Sequence, residues 1–249
     1  MYQDISIGNN EICKECNKEG IMEIPLSIYY IGENFINGDS ILFVGKTAVG
    51  GEGIGPVVAD AFTDATVFGK LSIDGEEENS NVRAFYSYTR NIISSYYGDY
   101  ETGKKFIALT NIVKCNNTTT NDTTDYRTMD FCINKLGAIW KEFEILAPKR
   151  VIFYTNTYYD DFIDEFRPKN YEKFEDLSDK NIEIGSKNSP WWHRRFYDKN
   201  DKILCDILWL SHPQRMYKDD YIDSVVNWLN ETRMWVSWII FFKQSFYTQ

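Results

Sequence analysis

Phe106–Cys132 reads FIALTNIVKCNNTTTNDTTDYRTMDFC. Its division into a strand, a loop and a helix start sets the expected fold. Phe106–Val113 is apolar and rich in β-formers, broken only by Thr110 and Asn111. Such a run is expected to form a buried strand. The polar stretch that follows is a loop, and strand-to-helix loops are where α/β proteins keep their sites. Asn111 therefore falls at the C-terminal end of a central strand. Cys115 lies just beyond it and Cys132 opens the next helix, with 16 residues between the two. Upstream, Cys13-x-x-Cys16 is separated from Cys115 by 98 intervening residues. Two thiols, then one, then one, form a donor set suited to a metal.

Working outward, Ile41–Val44 (ILFV), Val151–Tyr154 and Ile203–Leu210 read as three further buried strands. Helical patterns fall on Val57–Phe68, Val82–Tyr97, Arg127–Leu146, Tyr158–Phe166 and Asp219–Leu229. In Val82–Tyr97, residues 82, 85, 86, 89, 92, 93 and 96 share one helix face. Strands alternating with helices imply a mostly parallel sheet covered on both faces. The expected class is α/β: a three-layer α/β/α arrangement around a central four-stranded, mostly parallel sheet. Residues 1–249 are read as one domain, with 169–202 an irregular, charged insertion and 231–249 an apolar tail.

Composition narrows the classes. The chain has 249 residues, 43% of them hydrophobic, which is enough for a substantial core. The start, MYQDISIGNNEICKEC, lacks the basic and apolar regions of a secretory leader. Met234–Phe242 is too short to span a bilayer. The expected setting is the reducing cytoplasm, without a membrane partner, where five cysteines favour metal ligation over disulfides. The net charge of −10 argues against a generic nucleic-acid binder, whose affinity rests on Lys and Arg at phosphates. It leaves room for a DNA enzyme with a local basic patch. Gly45–Gly55, GKTAVGGEGIG, holds five glycines, so backbone N–H groups there can approach a ligand closely. It matches neither a P-loop nor a dinucleotide fingerprint.

Several of these segments together resemble the uracil-DNA glycosylase superfamily, most closely its iron–sulfur branch, family four. The resemblance rests on Cys13-x-x-Cys16, on Leu42-Phe-Val-Gly-Lys-Thr-Ala-Val-Gly-Gly-Glu52, on Thr110-Asn-Ile-Val-Lys-Cys115, on Cys132, on Arg150-Val-Ile152 and on His212-Pro213. Their order is the family's, from about Cys13 to Tyr217. The chain departs from the family at four places. Lys46 stands where the family has glutamate, and Ala48-Val49 where it has Pro-Gly. Val57 falls where a Phe stacks on uracil, and Gln214 replaces the serine after His-Pro.

The resemblance implies a DNA glycosylase carrying a [4Fe–4S] cluster on Cys13, Cys16, Cys115 and Cys132. Four thiolates suit Zn²⁺ equally well. Cleaving an N-glycosidic bond leaves an anionic base and an oxocarbenium-like sugar. His212, as a neutral N–H donor, suits the developing oxyanion. Asn111 can donate and accept along one base edge. Glu52 or a glycine-loop carbonyl can hold the attacking water, and Lys46 can contact a phosphate or pair with Glu52. Gly45 and Val57 complete the base pocket, and Gln214, Arg215 and Met216 form a wedge for flipping the base. In Trp191–Tyr197 (WWHRRFY), Arg194 and Arg195 interleave with aromatics. The cluster reads either as a surface for unpaired bases and phosphates or as a loop folding its aromatics onto the core, with His193 at the surface. Cys205 reads as a small core residue.

Two rival classes stay open: a DNA-binding member of the superfamily without hydrolysis, and a zinc-stabilised α/β domain that binds another ligand. The Val57 position generates a prediction. Replacing a stacking Phe by Val gives up on the order of 1–3 kcal/mol per base, about one to two decades in affinity. Val57→Phe is therefore expected to speed uracil excision and to slow excision of a bulkier pyrimidine. Rapid wild-type uracil excision that is lost in Val57→Phe would put the pocket wall elsewhere.

Overall fold

Ile41–Gly45 (β3) and Ile107–Asn111 (β4) are buried at every residue. A strand can be apolar on both of its faces only if both are covered, and parallel pairing with helical crossovers provides that cover. In the computed structural model, which describes residues 10–17, 22–23, 30–36, 38–46, 81–117, 124–164, 173–177, 181–184, 187–213 and 216–245, β3 pairs β4 in parallel from Ile41↔Ile107 to Gly45↔Asn111. Arg150–Phe153 (β6) lies parallel on the other side of β3. Ile203–Leu210 (β10) lies parallel beside β6.

These four strands are the ones expected, but the sheet does not stop with them. Tyr30–Ile31 (β2) adds antiparallel outside β4. Lys187–Tyr197 (β9) adds antiparallel to β10, and Lys173–Asp176 (β7) to β9. The order is β2-β4-β3-β6-β10-β9-β7, with Asn181–Ile184 (β8) also pairing β9. The sheet is thus mixed, with a parallel centre and antiparallel margins. Separately, Met22–Glu23 (β1) pairs Asn116–Asn117 (β5), joining the N-terminal segment to the chain just after Cys115.

Alternate residues along the parallel strands feed two separate cores. Ile41, Phe43, Ile107, Leu109 and Ile152 meet Phe85, Ile92 and Tyr96 of helix Asn81–Tyr97 and Tyr221, Val225 and Trp228 of helix Lys218–Ser245. Leu42, Val44, Ala108, Val151 and Phe153 meet Met129, Ile133, Ile139, Phe143 and Phe162 on the opposite face. Helices therefore cover both faces, as the strand patterns require.

Three expectations are corrected. First, most of 169–202 is regular. Its charges disguised a β-hairpin extension, because β9 carries Arg194 and Arg195 inside the sheet. Second, Arg127–Leu146 is not one helix. Asp125 caps Tyr126–Met129 by accepting from Thr128 N at 3.0 Å. A π-helical turn then covers Asp130–Lys135, and Gly137 at φ +64° breaks the path before Ala138–Leu146. A π turn inserts an extra residue and rotates the side chains around it, and here it carries buried Cys132. Third, the last helix runs from Lys218 to Ser245, so most of the expected tail (231–249) continues a helix instead of standing apart. Among the described residues, no helix is long and apolar enough to cross a membrane. The helix read at Val57–Phe68 lies outside the described residues.

Asp206 stands between two arginines on neighbouring strands, in register with Arg150 and with Arg195. Arg195 Nε donates to Asp206 Oδ1 at 2.9 Å, and His193 Nε2 lies 2.8 Å from the same oxygen. Removing Asp206 takes this carboxylate from Arg195 and His193, whereas Arg150 keeps its ion pair with Asp39. Asp206→Ala is expected to cost about 3–5 kcal/mol in urea-induced unfolding. A loss near zero would mean that water reaches the Arg195 guanidinium.

Candidate functional site

Because β4, β3, β6 and β10 run parallel, their C-terminal ends open onto one edge of the sheet, where open α/β sheets bind ligands. Gly45 and Asn111 meet there. After the last paired residues, Ile112 N donates to Gly45 O at 2.8 Å and Val113 N to Lys46 O at 3.1 Å. The two strand ends stay joined into the loops. A Cβ on Gly45 would lie 2.5 Å from Asn111 Oδ1 and 3.3 Å from the ring of Phe85. The Asn111 carboxamide therefore lies across the Gly45 backbone, and only a residue without a side chain fits beneath it. Sequence spacing assigns Phe85 only to a helix face. Its place beside Gly45 becomes visible only in the fold.

His212 follows β10 at the same edge, three strand positions from Asn111, or about 14 Å at ordinary strand spacing. Its segment is held from below: Tyr221 Oη donates to Ser211 O at 2.7 Å, and Tyr88 Oη to Met216 O at 3.0 Å. Tyr88, Tyr154 and Tyr221 form a chain of ring contacts beneath the edge, with Tyr221 5.3 Å from Tyr88 and 6.3 Å from Tyr154. Burial raises the Tyr154 and Tyr221 hydroxyls above their ordinary range, so they remain neutral. Lys46 lies at the edge with Gly45. Glu52, Val57, Gln214 and Arg215 lie outside the described residues.

The basic cluster is placed differently from the nucleic-acid reading. Arg195 is 7% exposed and committed to Asp206. Arg194 packs its guanidinium over Phe174 at 4.7 Å and Trp209 at 5.1 Å. His193 is not a surface residue: it bonds Asp206 and meets Trp228 edge to face at 5.4 Å. Trp192 packs on Trp209. The aromatics thus fold onto the core, but from a strand and not from a loop. Cys205 is fully buried on its strand, as expected.

The cysteines form a second locus, on the opposite face of the sheet from the Asn111 side chain. Asn10 caps helix Glu11–Cys16 by accepting from Cys13 N at 2.7 Å. Residues three apart share a helix face, which aims Cys13 and Cys16 together. Arg127 donates to Glu15 O at 3.0 Å and ties this helix to the Tyr126–Met129 turn that precedes the π-helical segment. Cys13, Cys16, Cys115 and Cys132 line one recess with Phe131 and Leu136.

Burial pushes the Cys132 thiol up to about 12, and the charges of Cys13 and Cys16 add to the rise. Burial followed by its three cysteine neighbours raises Cys115 further. Four sulfurs close enough to perturb one another in one recess suit a thiophilic centre, iron–sulfur or zinc. Binding it must displace thiol protons. Among the described residues, no group of three or more His, Cys, Asp or Glu side chains is already arranged to hold a metal ion. The structure brings the four segments together without a closed coordination sphere.

Beside this recess lies a feature that the sequence pattern did not single out. Lys114 and Glu142 are both buried, with Nζ 2.6 Å from Oε2. Thr110 Oγ1 donates to Glu142 Oε2 at 2.9 Å. Desolvation lowers the Lys114 pKa, and Glu142 opposes that shift. The available signal was a lysine set directly after the buried strand, among residues with no access to water.

No family model matches the chain, and no curated protein matches it. The resemblance to iron–sulfur uracil-DNA glycosylases therefore rests on the motif residues alone.

The recess generates a prediction. Protein purified without oxygen is expected to carry iron, or else one zinc, and Cys132→Ser is expected to lose most of it in elemental analysis. A ligand held at 1,000 times its dissociation constant stabilises by about 4 kcal/mol, so the variant should also unfold at lower urea. Unchanged metal content in Cys132→Ser would remove this residue from the ligand set.

Proposed function

We propose that this chain is a monofunctional DNA glycosylase that flips a uracil or modified pyrimidine from DNA and hydrolyses its N-glycosidic bond. The observation that carries the reading is the Asn111 carboxamide laid across Gly45, at the sheet edge that also bears His212. Hydrolysis of this bond needs a reader of the base edge and a donor to the developing oxyanion, held on rigid elements. Two strand ends with fixed register meet that need.

In this reading Asn111 pairs with the Watson–Crick edge of the flipped base. An edge left unpaired in a buried site is rejected strongly, so this contact selects a uracil-like pattern over a cytosine-like one. His212 donates to the oxygen that gains charge as the bond breaks. Glu52, or a carbonyl of the glycine loop, positions the water. Lys46 contacts a phosphate or pairs with Glu52. The parallel quartet β4-β3-β6-β10 is the glycosylase core, and DNA is the partner, met in the cytoplasm. Cys13, Cys16, Cys115 and Cys132 would hold the [4Fe–4S] cluster, or zinc. That group would tie the N-terminal helix to the loop after β4, and the hydrolysis proposed here calls on no step through it. With Arg195 committed to Asp206, DNA contact falls to the wedge loop at Gln214 and Arg215.

A second reading is favoured by Lys46, which replaces the family's glutamate: a superfamily member that binds DNA without cleaving it. A panel of oligonucleotides carrying uracil, 5-substituted uracils, thymine or hypoxanthine separates the two. The glycosylase reading expects release of at least one base, and a loss of about 10²–10³-fold in rate for His212→Ala and at least as much for Asn111→Ala. Binding of the modified strand with no base released would support the silent member. Neither binding nor release would sink both.

A further inference from the structure

Lys114 touches both loci. Its main-chain amide donates to Cys132 Sγ at 3.3 Å. Its side chain curls back beneath its own strand, where Nζ donates to Asn111 O at 2.5 Å, Thr110 Oγ1 at 2.7 Å and Glu142 Oε2 at 2.6 Å. The ammonium is 1% exposed and the carboxylate 0%. A buried charge keeps all its partners or incurs a large desolvation cost. The backbone from Asn111 to Lys114 therefore cannot shift without breaking this set. Neighbouring Cys115 and the bonded Cys132 both line the thiol recess.

We propose that Lys114 is a positioning residue that couples occupancy of the cysteine centre to the placement of Asn111. The centre fixes Cys115 and Cys132, the Lys114 amide follows Cys132, and the ammonium holds the Asn111 carbonyl from one face of the sheet. On the other face the Asn111 carboxamide is thereby kept over Gly45. Helix Ala138–Leu146 supplies the anchor through Glu142. The coupling to base reading rests on the role proposed above for Asn111, whereas the coupling to backbone order does not.

The test compares the full chain, as purified and after metal removal, with Lys114→Met/Glu142→Gln, which removes both charges without leaving either one buried alone. Two readouts are taken. The first is hydrogen exchange at the Ile112 and Val113 amides, which bond Gly45 O and Lys46 O. The second is the binding preference for an oligonucleotide bearing 2′-fluoro-2′-deoxyuridine over the same strand bearing thymidine. In the wild type, metal removal is expected to speed exchange at both amides and to cut the preference on the order of tenfold. The variant is expected to keep its metal, to exchange fast already and to change little on metal removal. Thr110→Val, which removes the hydroxyl's two hydrogen bonds but keeps the Lys114–Glu142 pair, serves if the double variant does not fold, and is expected to show the same effect in smaller measure.

Three outcomes overturn the coupling: a chain that binds no iron or zinc, amides whose exchange ignores metal removal, or a variant that responds to metal removal as the wild type does. A wild type whose amides respond to metal but which shows no preference for the fluorinated strand keeps the coupling and sinks the glycosylase reading instead.

Discussion

The in-register pairing of β3 with β4 is the constraint on which the rest depends. It sets Ile41 against Ile107 and, four residues on, Gly45 against Asn111. A slip of one residue would turn every side chain of the strand to the other face. Here both faces are buried, and each set of side chains meets different helices. The register therefore determines which helices pack on which side. It also decides that a glycine lies beneath the Asn111 carboxamide, and that Lys114 enters the second core while Asn111 points toward the first.

Two buried charged sets lie on opposite faces of this sheet. Arg150, Asp206, Arg195 and His193 run across the strands on one side, against Trp228. Lys114, Glu142 and Thr110 lie on the other, beside the thiols. Buried ion pairs contribute little net stability compared with apolar packing, but breaking one is costly. Their physical effect here is geometric. The first set clamps the antiparallel margin to the parallel centre, and the second clamps the end of β4 to helix Ala138–Leu146. The arginines of the aromatic cluster are thereby spent inside the fold, which leaves an acidic chain with fewer cations for phosphates.

The thiol recess depends on small departures from ideal geometry. Asn10 starts a short helix that aims two cysteines, a π turn carries Cys132 inward, and Gly137 at φ +64° redirects the chain afterward. Pairing of β1 with β5 draws the N-terminal segment to the same place. None of these features is large, and together they bring residues a hundred positions apart to one recess.

Much of the centre was legible in the sequence. ILFV, IALTN, RVIF and ILCDILWL are mostly apolar, β-prone runs, so four buried strands and the placing of Asn111 and His212 at strand ends followed from local pattern. The cysteine spacing likewise announced a shared locus. The margins were not legible, because β9 carries its charges into the sheet and a pattern of hydrophobicity cannot show that Asp206 and two aromatic rings will receive them. Nor could periodicity show the break at Gly137, since Arg127–Leu146 keeps helical spacing on both sides of it. The sequence by itself determined which segments must be buried and which polar residues sit at their ends, because those are local properties of the chain. Only the tertiary structure decided what each buried charge faces. Lys114 could be understood only once Glu142, 28 residues away, was seen to meet it, because the cost of a buried charge depends on partners that local sequence does not specify.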